Sequence, residues 1–313
     1  MPRSGDTPPI DDIMQQVLQA VPFELSAADG VEVARRRFRE LPHRSVHPEL
    51  AVSDRSIDGP AGSIRLRIYR PPGAENPPVV LFFHGGGFAV GDLDTHDGTA
   101  REHAAAAGAV VVSVDYRLAP EHPFPAAVDD AWAATQWVAT HPAELAADTS
   151  RLAVAGDSAG GNLAAVMALR ARDAGGPAIA FQLLWYPATT WDLRLPSFVE
   201  NAEAPILSTG AVAAFSRWYA GHLDLTDPPP YLAPARAADL SNLPPAYIAV
   251  AGHDPLRDDG IRYAELLAAA GVPVELHNAE TLVHGYVAYT GVVPAATAAT
   301  ERGLAALRTA LSS

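Results

Sequence analysis

Short apolar runs alternate with Ala-rich helical stretches over most of the chain, and this alternation restricts the fold more than any other feature of the sequence. The apolar runs are 79–83, 110–114, 152–155, 181–185, 247–250 and 272–276. The main helical stretches are 99–107, 126–139, 163–172, 261–270 and 295–311. Continuous apolar strands in alternation with helices predict a mostly parallel sheet that helices cover on both faces.

The residues before these runs show two other patterns. Apolar positions from 11 to 41 recur at three- and four-residue spacing and predict helix, with an interruption at Pro22. From 49 to 70 apolar and polar residues alternate on either side of a Gly-Pro-Ala-Gly turn at 59–62. This pattern predicts a half-exposed β-hairpin. We therefore expect an α/β protein with a central sheet of about eight strands.

One segment breaks the rhythm of strand and helix. Residues 189–234 are rich in proline and contain a predicted helix over 209–220. An insertion over a parallel sheet is a common way to build a lid. We expect this segment to form such a lid.

Composition excludes several classes of function. The 36 acidic residues against 22 basic ones give a formal net charge of −14, which would repel a nucleic acid backbone. The absence of Cys excludes thiolate nucleophiles and Cys-ligated metals, and the absence of Lys excludes lysine-based chemistry. The first 22 residues lack the basic-then-apolar layout of a signal peptide, and no apolar run has the length of a membrane span. We expect a cytoplasmic protein.

The strongest local signal is the segment 156–161, which reads Gly-Asp-Ser-Ala-Gly-Gly. It directly follows the apolar run 152–155 and precedes the helical stretch 163–172. Small residues at such a turn allow a sharp bend that holds the serine in a strained conformation with its Oγ exposed. We predict that Ser158 is a nucleophile. A Gly-rich phosphate loop and a plain turn are the alternatives, and a Walker loop is excluded because it needs a lysine.

A second signal is the segment 84–88, which reads His-Gly-Gly-Gly-Phe at the end of the run 79–83. Consecutive glycines leave backbone N–H groups unshielded, as an oxyanion hole requires. The alternative is a flexible turn. The place of the segment, before a helix and upstream of Ser158, favours the oxyanion hole.

A serine nucleophile needs a base and a carboxylate that orients the base. His284 is the best candidate for the base because it follows the last predicted strand. Asp254 is the best candidate for the carboxylate, because Asp258 and Asp259 have the positions of cap and first-turn residues of the next helix. The chain order Ser158, Asp254, His284 is typical of one hydrolase architecture.

Three other groups of residues have alternative interpretations. The acidic segment 92–103 is similar to a calcium loop, but its Gly98 is one position late and position twelve is His103, so we expect helix-capping carboxylates and no metal. Asp157 either tunes the electrostatics of the nucleophile or fixes the loop through a hydrogen bond. Four aromatic residues are candidates for an acyl pocket or for the core, namely Trp185, Trp191, Trp218 and Tyr219.

Five segments in this order resemble those of the bacterial hormone-sensitive-lipase-like (family IV) esterases of the α/β-hydrolase fold. They are His-Gly-Gly-Gly at 84–87, Asp-Tyr-Arg-Leu-Ala-Pro-Glu at 115–121, the segment 156–161, Asp-Pro-Leu-Arg-Asp at 254–258 and His-Gly at 284–285. The likeness extends from about residue 65 to residue 289, and Tyr286 departs from a frequent Phe. It implies the catalytic residues Ser158, Asp254 and His284 and an oxyanion hole formed by the N–H groups of Gly86, Gly87 and Ala159.

The resemblance also implies a domain organisation. Residues 1–45 would be N-terminal cap helices and residues 189–234 a cap insertion. Residues 46–188 and 235–313 would form the two parts of the α/β-hydrolase core.

The function that the resemblance implies is a serine carboxylesterase for short to medium acyl esters, acting through an acyl-serine intermediate without cofactor or metal. Hydrolysis of an amide, carbamate or lactone by the same residues is an alternative, because a fold does not fix the leaving group. A catalytically silent receptor for a small ligand is the alternative from another class, and it would require a broken triad. The family often forms dimers, so a homodimer is a further expectation beside the small-molecule ester substrate.

Overall fold

A computed structural model describes residues 7–43 and 45–312, and within them eight strands form one sheet. The strands are β1 Ala51–Gly59, β2 Gly62–Arg70, β3 Pro78–Phe83, β4 Val110–Asp115, β5 Asp148–Asp157, β6 Phe181–Trp185, β7 Ala246–His253 and β8 Val274–Val283. Their spatial order is β1-β2-β4-β3-β5-β6-β7-β8. Strand β2 runs antiparallel to both of its neighbours, β1 and β4. The other six strands, β3 to β8, are parallel to one another. The predicted α/β class and mostly parallel sheet are confirmed.

Helices cover both faces of this sheet. They are α1 Asp12–Ala20, α2 Val31–Arg39, α3 Asp97–Ala107, α4 Ala126–Thr140, α5 Pro142–Leu145, α6 Ala159–Asp173, α7 Pro196–Glu200, α8 Thr209–Ala220, α9 Arg257–Ala269 and α10 Pro294–Leu311. Helix α8 lies where the sequence predicts a helix in the insertion. In the described ranges, none of the helices has both the length and the apolar character needed to cross a bilayer.

The core has two halves because side chains of a strand point alternately to opposite faces. In β3, Val79 and Leu81 belong to the half of the core that contains residues of α4, α6 and α9, whereas Val80 and Phe82 belong to the half that contains residues of α3 and α10. All six residues of β3 are buried. This two-sided burial explains why the sequence shows continuous apolar runs for the central strands.

The strands at the two edges of the sheet are more polar, and this affects how well the sequence predicts them. The β1–β2 hairpin is confirmed, with Gly59 opposite Gly62 at its turn. Strand β8 extends to Val283, although its apolar pattern predicts an end at Leu276. Residues 277–281 are mostly polar and mostly outside the core, as is usual in an edge strand, so the apolar rule misses this part.

The N-terminal region contains two short helices with a wider break than one proline predicts. Between α1 and α2 the chain is extended, and Leu25 N–H donates to Ile206 O at 2.7 Å. The bridge from Glu24 to Ile206 ties this stretch to the 189–234 insertion, so tertiary contact holds it extended. Residues 1–6 and 44 of the predicted 1–45 cap segment, and Ser313 of the second core segment, lie outside the described residues.

The parallel strands deliver the predicted functional residues to one edge of the sheet. Strand β3 is followed by His84, β5 by Ser158, β7 by Asp254 and β8 by His284. The carboxyl ends of parallel strands meet at the same edge, which is where open α/β sheets bind ligands. The topology alone therefore collects these four segments in one place.

Gly160 generates a prediction about the contact between α6 and β3. A Cβ on Gly160 would lie 1.9 Å from Phe83 O, whereas a Cβ on Gly210 of α8 would find its nearest neighbour at 3.8 Å. We expect Gly160→Ala to lower the free energy of unfolding by about 2–4 kcal/mol, since a backbone carbonyl cannot yield easily.

Gly210→Ala is the matched control, and it should leave stability unchanged or raise it by up to about 1 kcal/mol through helix propensity. Urea unfolding of both variants measures the difference. Equal stability of the two variants would contradict the close contact.

Candidate active site

Ser158 lies at a sharp turn between β5 and α6. Its backbone φ of 57° and ψ of −116° are outside the regions that a serine normally adopts. The N–H of Ser158 donates to Trp185 O at 2.8 Å. The turn is possible because Gly156 and Gly160 approach each other more closely than side chains would permit. This is the strained strand-to-helix turn that the sequence predicts.

His284 lies between Ser158 and Asp254 in a chain of hydrogen bonds. His284 Nε2 is 3.0 Å from Ser158 Oγ, and His284 Nδ1 is 2.8 Å from Asp254 Oδ2. The Leu256 N–H donates to the other carboxylate oxygen of Asp254 at 2.8 Å. Asp254 is fully buried, and a buried carboxylate is tolerated when it is paired and hydrogen-bonded in this way. The structure thus brings together the three residues that the sequence singles out.

Three backbone N–H groups near Ser158 could bind a ligand, those of Gly86, Gly87 and Ala159. Among the described residues, no acceptor binds the N–H of Gly86 or of Gly87. Ala159 is the first residue of α6, and the first N–H groups of an α-helix lack a partner within it. The positive φ values of Gly86 and Gly87, 117° and 58°, suit glycine. This group of donors can bind a negatively charged oxygen.

Asp157 holds the start of the glycine loop. Its Oδ1 accepts the Gly85 N–H at 2.9 Å and lies 3.6 Å from His96 Nε2. Burial acts to raise the pKa of Asp157, but His96, His84 and the Gly85 N–H lower it below its ordinary value. A loop-fixing hydrogen bond, one of the two roles considered from the sequence, is therefore present.

His84 is a buried support of the loop and not a second base. Burial lowers the pKa of His84 to about 4, which keeps the ring neutral at ordinary pH. Its carbonyl accepts the Tyr116 hydroxyl at 2.6 Å, and the His84 and Tyr116 rings stack at 4.3 Å. These contacts fix the end of β3 from which the glycine loop departs.

The structure also places residues at the site that the sequence does not reveal. Asn201, in the insertion, donates to Asp254 O at 3.1 Å and to Gly252 O at 3.3 Å. His253, beside Asp254, instead bonds through Nε2 to Pro8 O at 2.9 Å. A single asparagine among polar loop residues carries no pattern, so no signal in the sequence could have identified Asn201.

Two cavities meet at Ser158. The first has a volume of about 460 Å³, and its wall includes Gly87, Ala159 and residues of α8. The second has a volume of about 340 Å³, and its wall includes His284, Gly86 and residues of α1 and α2. Ser158 and Leu25 line both cavities. Ser158 Oγ can therefore reach a group bound on either side.

The four aromatic residues have different places. Trp191 lines the first cavity. Trp185 is buried on the α3/α10 face of the sheet, where its Nε1 donates to His103 Nε2 at 3.0 Å. Tyr219 is fully buried and stacks on Phe88 at 3.9 Å, and Trp218 packs against Phe215. The acyl-pocket interpretation thus fits Trp191, and the core interpretation fits Trp185 and Tyr219.

The acidic segment 92–103 has other partners than helix caps. Asp92 accepts the Thr95 N–H at 2.9 Å and pairs with Arg39, while Asp97 pairs with Arg101. The cap residue of α3 is His96, without a side-chain cap bond, so the helix-capping interpretation is wrong. Within residues 7–43 and 45–312, no group of three or more His, Asp or Glu residues could hold a metal ion.

Asp259 connects the insertion to the core at the wall of the first cavity. It is 1% exposed and accepts hydrogen bonds from the N–H and hydroxyl groups of both Thr189 and Thr190. Burial raises its pKa to about 6, although these hydrogen bonds act in the opposite direction. Asp259 lies in the first turn of α9, as the sequence predicts. It is a buried carboxylate that binds Thr189 and Thr190, and not a solvated one.

The fold and this site define a serine hydrolase architecture, and comparison with known proteins gives its class. Residues 80–288 match the family model of the α/β-hydrolase fold. The chain belongs to this fold family and, within it, to the hormone-sensitive-lipase-like esterases. The resemblance inferred from the five segments is confirmed.

Relatives with similar sequences are esterases. The chain is 68% identical over 311 residues to esterase LipI of Mycobacterium tuberculosis, covering 98% of this chain and 97% of the relative. It is 58% identical to carboxylesterase NlhH of the same species, with 97% of each chain covered. This protein is a carboxylic ester hydrolase.

Solved structures give the same result. The chain is 66% identical in sequence to the protein in the crystal structure of DphMB1. The two structures have a TM-score of 0.94, and the match covers 97% of this chain and 99% of the other. A hyperthermophilic esterase from the archaeon Pyrobaculum calidifontis is 40% identical with a TM-score of 0.88, over 96% of this chain and 99% of the other. The predicted fold and enzyme class are therefore both confirmed.

The raised pKa of Asp259 generates a prediction about stability. Between its ordinary value of 3.8 and about 6, the folded protein retains a proton that the unfolded chain has lost. The contribution of Asp259 to the free energy of unfolding therefore falls as pH rises through this window, on the order of 1–3 kcal/mol in total.

Asp259→Asn removes this titration and keeps an oxygen acceptor for the threonine N–H groups. We expect the free energy of unfolding of the variant, relative to wild type, to increase from pH 4 to pH 7. Urea unfolding at several pH values measures this, and a difference that stays constant with pH would contradict the assignment.

Proposed function

We propose that Ser158, His284 and Asp254 are the catalytic residues of ester hydrolysis. Ser158 Oγ attacks the ester carbonyl carbon while His284 Nε2 takes its proton, and the C–O bond to the leaving alcohol then breaks as His284 returns that proton to the alcohol oxygen. Asp254 orients the imidazole and stabilises its protonated form. A water molecule then gives a proton to His284 and attacks the acyl-serine carbonyl carbon. The bond from that carbon to Ser158 Oγ breaks, and His284 returns the proton to Oγ, which releases the acid and free Ser158. The 3.0 Å and 2.8 Å contacts of His284 support these roles.

The N–H groups of Gly86, Gly87 and Ala159 are the proposed oxyanion hole. Charge develops on the carbonyl oxygen when Ser158 attacks, and preorganised donors bind that charge more strongly than the neutral ester. The support is the absence of other acceptors for the two glycine N–H groups among the described residues, and the position of Ala159 at the start of α6.

The two cavities are proposed to bind the two sides of the ester. The leaving alcohol must lie next to His284, because that residue returns the proton to it. The second cavity, whose wall includes His284, therefore takes the alcohol, and the first cavity takes the acyl chain. A bounded volume of about 460 Å³ favours short to medium acyl chains.

The segments 1–45 and 189–234 are proposed to form the cap over the core. Residues of α8 line the first cavity, and residues of α1 and α2 line the second. The two sides of the substrate would thus face different helices of the cap. A cytoplasmic location and homodimer formation also stay predictions.

Removal of the Ser158 hydroxyl tests the proposed nucleophile. Hydrolysis of p-nitrophenyl esters from acetyl to palmitoyl should show a wild-type optimum at short or medium chains. Ser158→Ala should lower kcat by about four orders of magnitude or more, because no other group forms the acyl intermediate.

Ser53→Ala is the control, since Ser53 is exposed on β1, and it should hydrolyse the same esters as wild type does. Substantial turnover by Ser158→Ala would exclude this nucleophile. A wild-type protein that cleaves only amides, carbamates or lactones would favour the alternative substrates for the same residues.

Reciprocal variants test the two sides of the ester. Val212 lines the first cavity and Val17 lines the second. We expect Val212→Phe to lower kcat/KM for octanoyl esters about tenfold or more relative to acetyl esters, because it narrows the acyl side.

We expect Val17→Phe instead to lower kcat/KM for esters of bulky alkyl alcohols relative to ethyl esters with the same acyl chain. Hydrolysis rates of matched ester pairs measure both effects, with each variant as the control for the other. If Val212→Phe affected the choice of alcohol and Val17→Phe the choice of acyl chain, the first cavity would bind the alcohol and the second the acyl chain.

A further inference from the structure

The nine-residue helix α2 contacts the core through a few apolar side chains. Ala34 is its buried residue, and Val31 and Phe38 pack partly against the core. A helix of this length is marginal in water without tertiary contacts. The position of α2 therefore depends on these contacts and on what its polar side chains bind.

Arg35 makes several of the polar contacts that join α2 to the core. Its side chain is 14% exposed. The Nε atom donates to Ala89 O at 2.9 Å, and one terminal nitrogen donates to Ala119 O at 3.0 Å. Both terminal nitrogens also donate to the Glu121 carboxylate, at 2.9 and 2.6 Å. One guanidinium thus joins three residues of two core loops.

Ala89 and Ala119, whose carbonyls accept from Arg35, also form hydrogen bonds that fix the C-terminal end of the glycine loop. The N–H groups of Ala89 and Val90 donate to Gly86 O at 3.1 and 3.0 Å. The Ala119 N–H donates to Phe88 O at 2.8 Å. The carbonyls of Ala89 and Ala119 are the acceptors of Arg35. The loop 84–90 is therefore fixed at its start by Asp157 and at its end through Arg35.

We propose that Arg35 is a positioning residue for ester hydrolysis. From α2 it holds the segment 86–90, so that the N–H groups of Gly86 and Gly87 stay directed at the oxygen that becomes charged. Arg35 does not belong to the described lining of either cavity, so it acts through the loop and not on the substrate. The inference rests on the oxyanion hole of the proposed function.

The variant Arg35→Met tests this role, because it keeps an unbranched apolar side chain in place of the aliphatic part of Arg and removes all its donors. Donors directed at the charged oxygen act mainly in the transition state, so their displacement lowers kcat more than it raises KM. For p-nitrophenyl butyrate we expect kcat to fall about tenfold to a hundredfold with KM within about twofold of wild type.

Binding of an aliphatic trifluoromethyl ketone provides a second readout. Ser158 Oγ adds to its carbonyl carbon, the Ser158 proton passes to His284, and the ketone oxygen becomes the charged group in the oxyanion hole. We expect the inhibition constant of Arg35→Met to rise by about the same factor as kcat/KM falls. A merely structural role of Arg35 would not change this constant in the folded variant.

Arg37→Met is the matched control from the same helix. Arg37 pairs with Asp29 at 2.8 Å, and both side chains are about half exposed. Its kcat, KM and inhibition constant should equal those of wild type.

Two results for a folded Arg35→Met variant would overturn the proposal. One is a lower Tm with unchanged kcat and inhibition constant. The other is a higher KM with unchanged kcat. If Arg35→Met does not fold, Arg35→Lys replaces it, since one ammonium group cannot bind both carbonyls and Glu121 in the same way. A folded Arg35→Lys variant with wild-type kcat and inhibition constant would also overturn the proposal.

The wild-type protein in the same assay separates the two hypotheses. Failure of wild type to hydrolyse the ester would refute the proposed function itself. Normal turnover by wild type and an unaffected Arg35→Met variant would refute only the role of Arg35.

Discussion

The contact on which the site depends is the close approach of two backbones, that of Gly160 in α6 and that of Phe83 at the end of β3. The approach leaves no room for a Cβ, so it requires glycine. It brings the strained turn of Ser158 directly beside the glycine loop that follows β3. Ser158 and the glycine loop become neighbours because two main chains touch, before any side chain contributes.

Buried polar groups then fix what the backbone contact brings together. Asp254 and Asp157 are both largely buried, and burial of a carboxylate is costly unless hydrogen bonds compensate. Asp254 is bound by His284 and the Leu256 N–H, and Asp157 by the Gly85 N–H with His96 nearby. Each carboxylate thus holds one neighbouring segment in place. The geometry is preorganised, which is how enzymes stabilise charge in a transition state.

The fold was largely predictable because its central strands are buried on both faces and therefore appear as continuous apolar runs. The rule failed where burial is partial, as at the polar residues in the middle of β8. It also failed where tertiary pairing overrides local preference, as in the extended stretch between α1 and α2. The glycine and serine segments were predictable because their chemistry is local. Asn201 and Arg35 were not, because their acceptors lie about fifty or more residues away along the chain.

The sequence by itself determined the α/β class, the strained turn at Ser158, the glycine loop and the candidates His284 and Asp254, since each depends on short-range pattern or on residue type. Only the tertiary structure decided which carboxylate faces His284, which aromatic residues line a cavity and which helix supports the glycine loop. These are relations between segments distant in the chain, and they arise when the parallel strands bring their carboxyl ends to one edge. Short-range pattern carries no information about such distances.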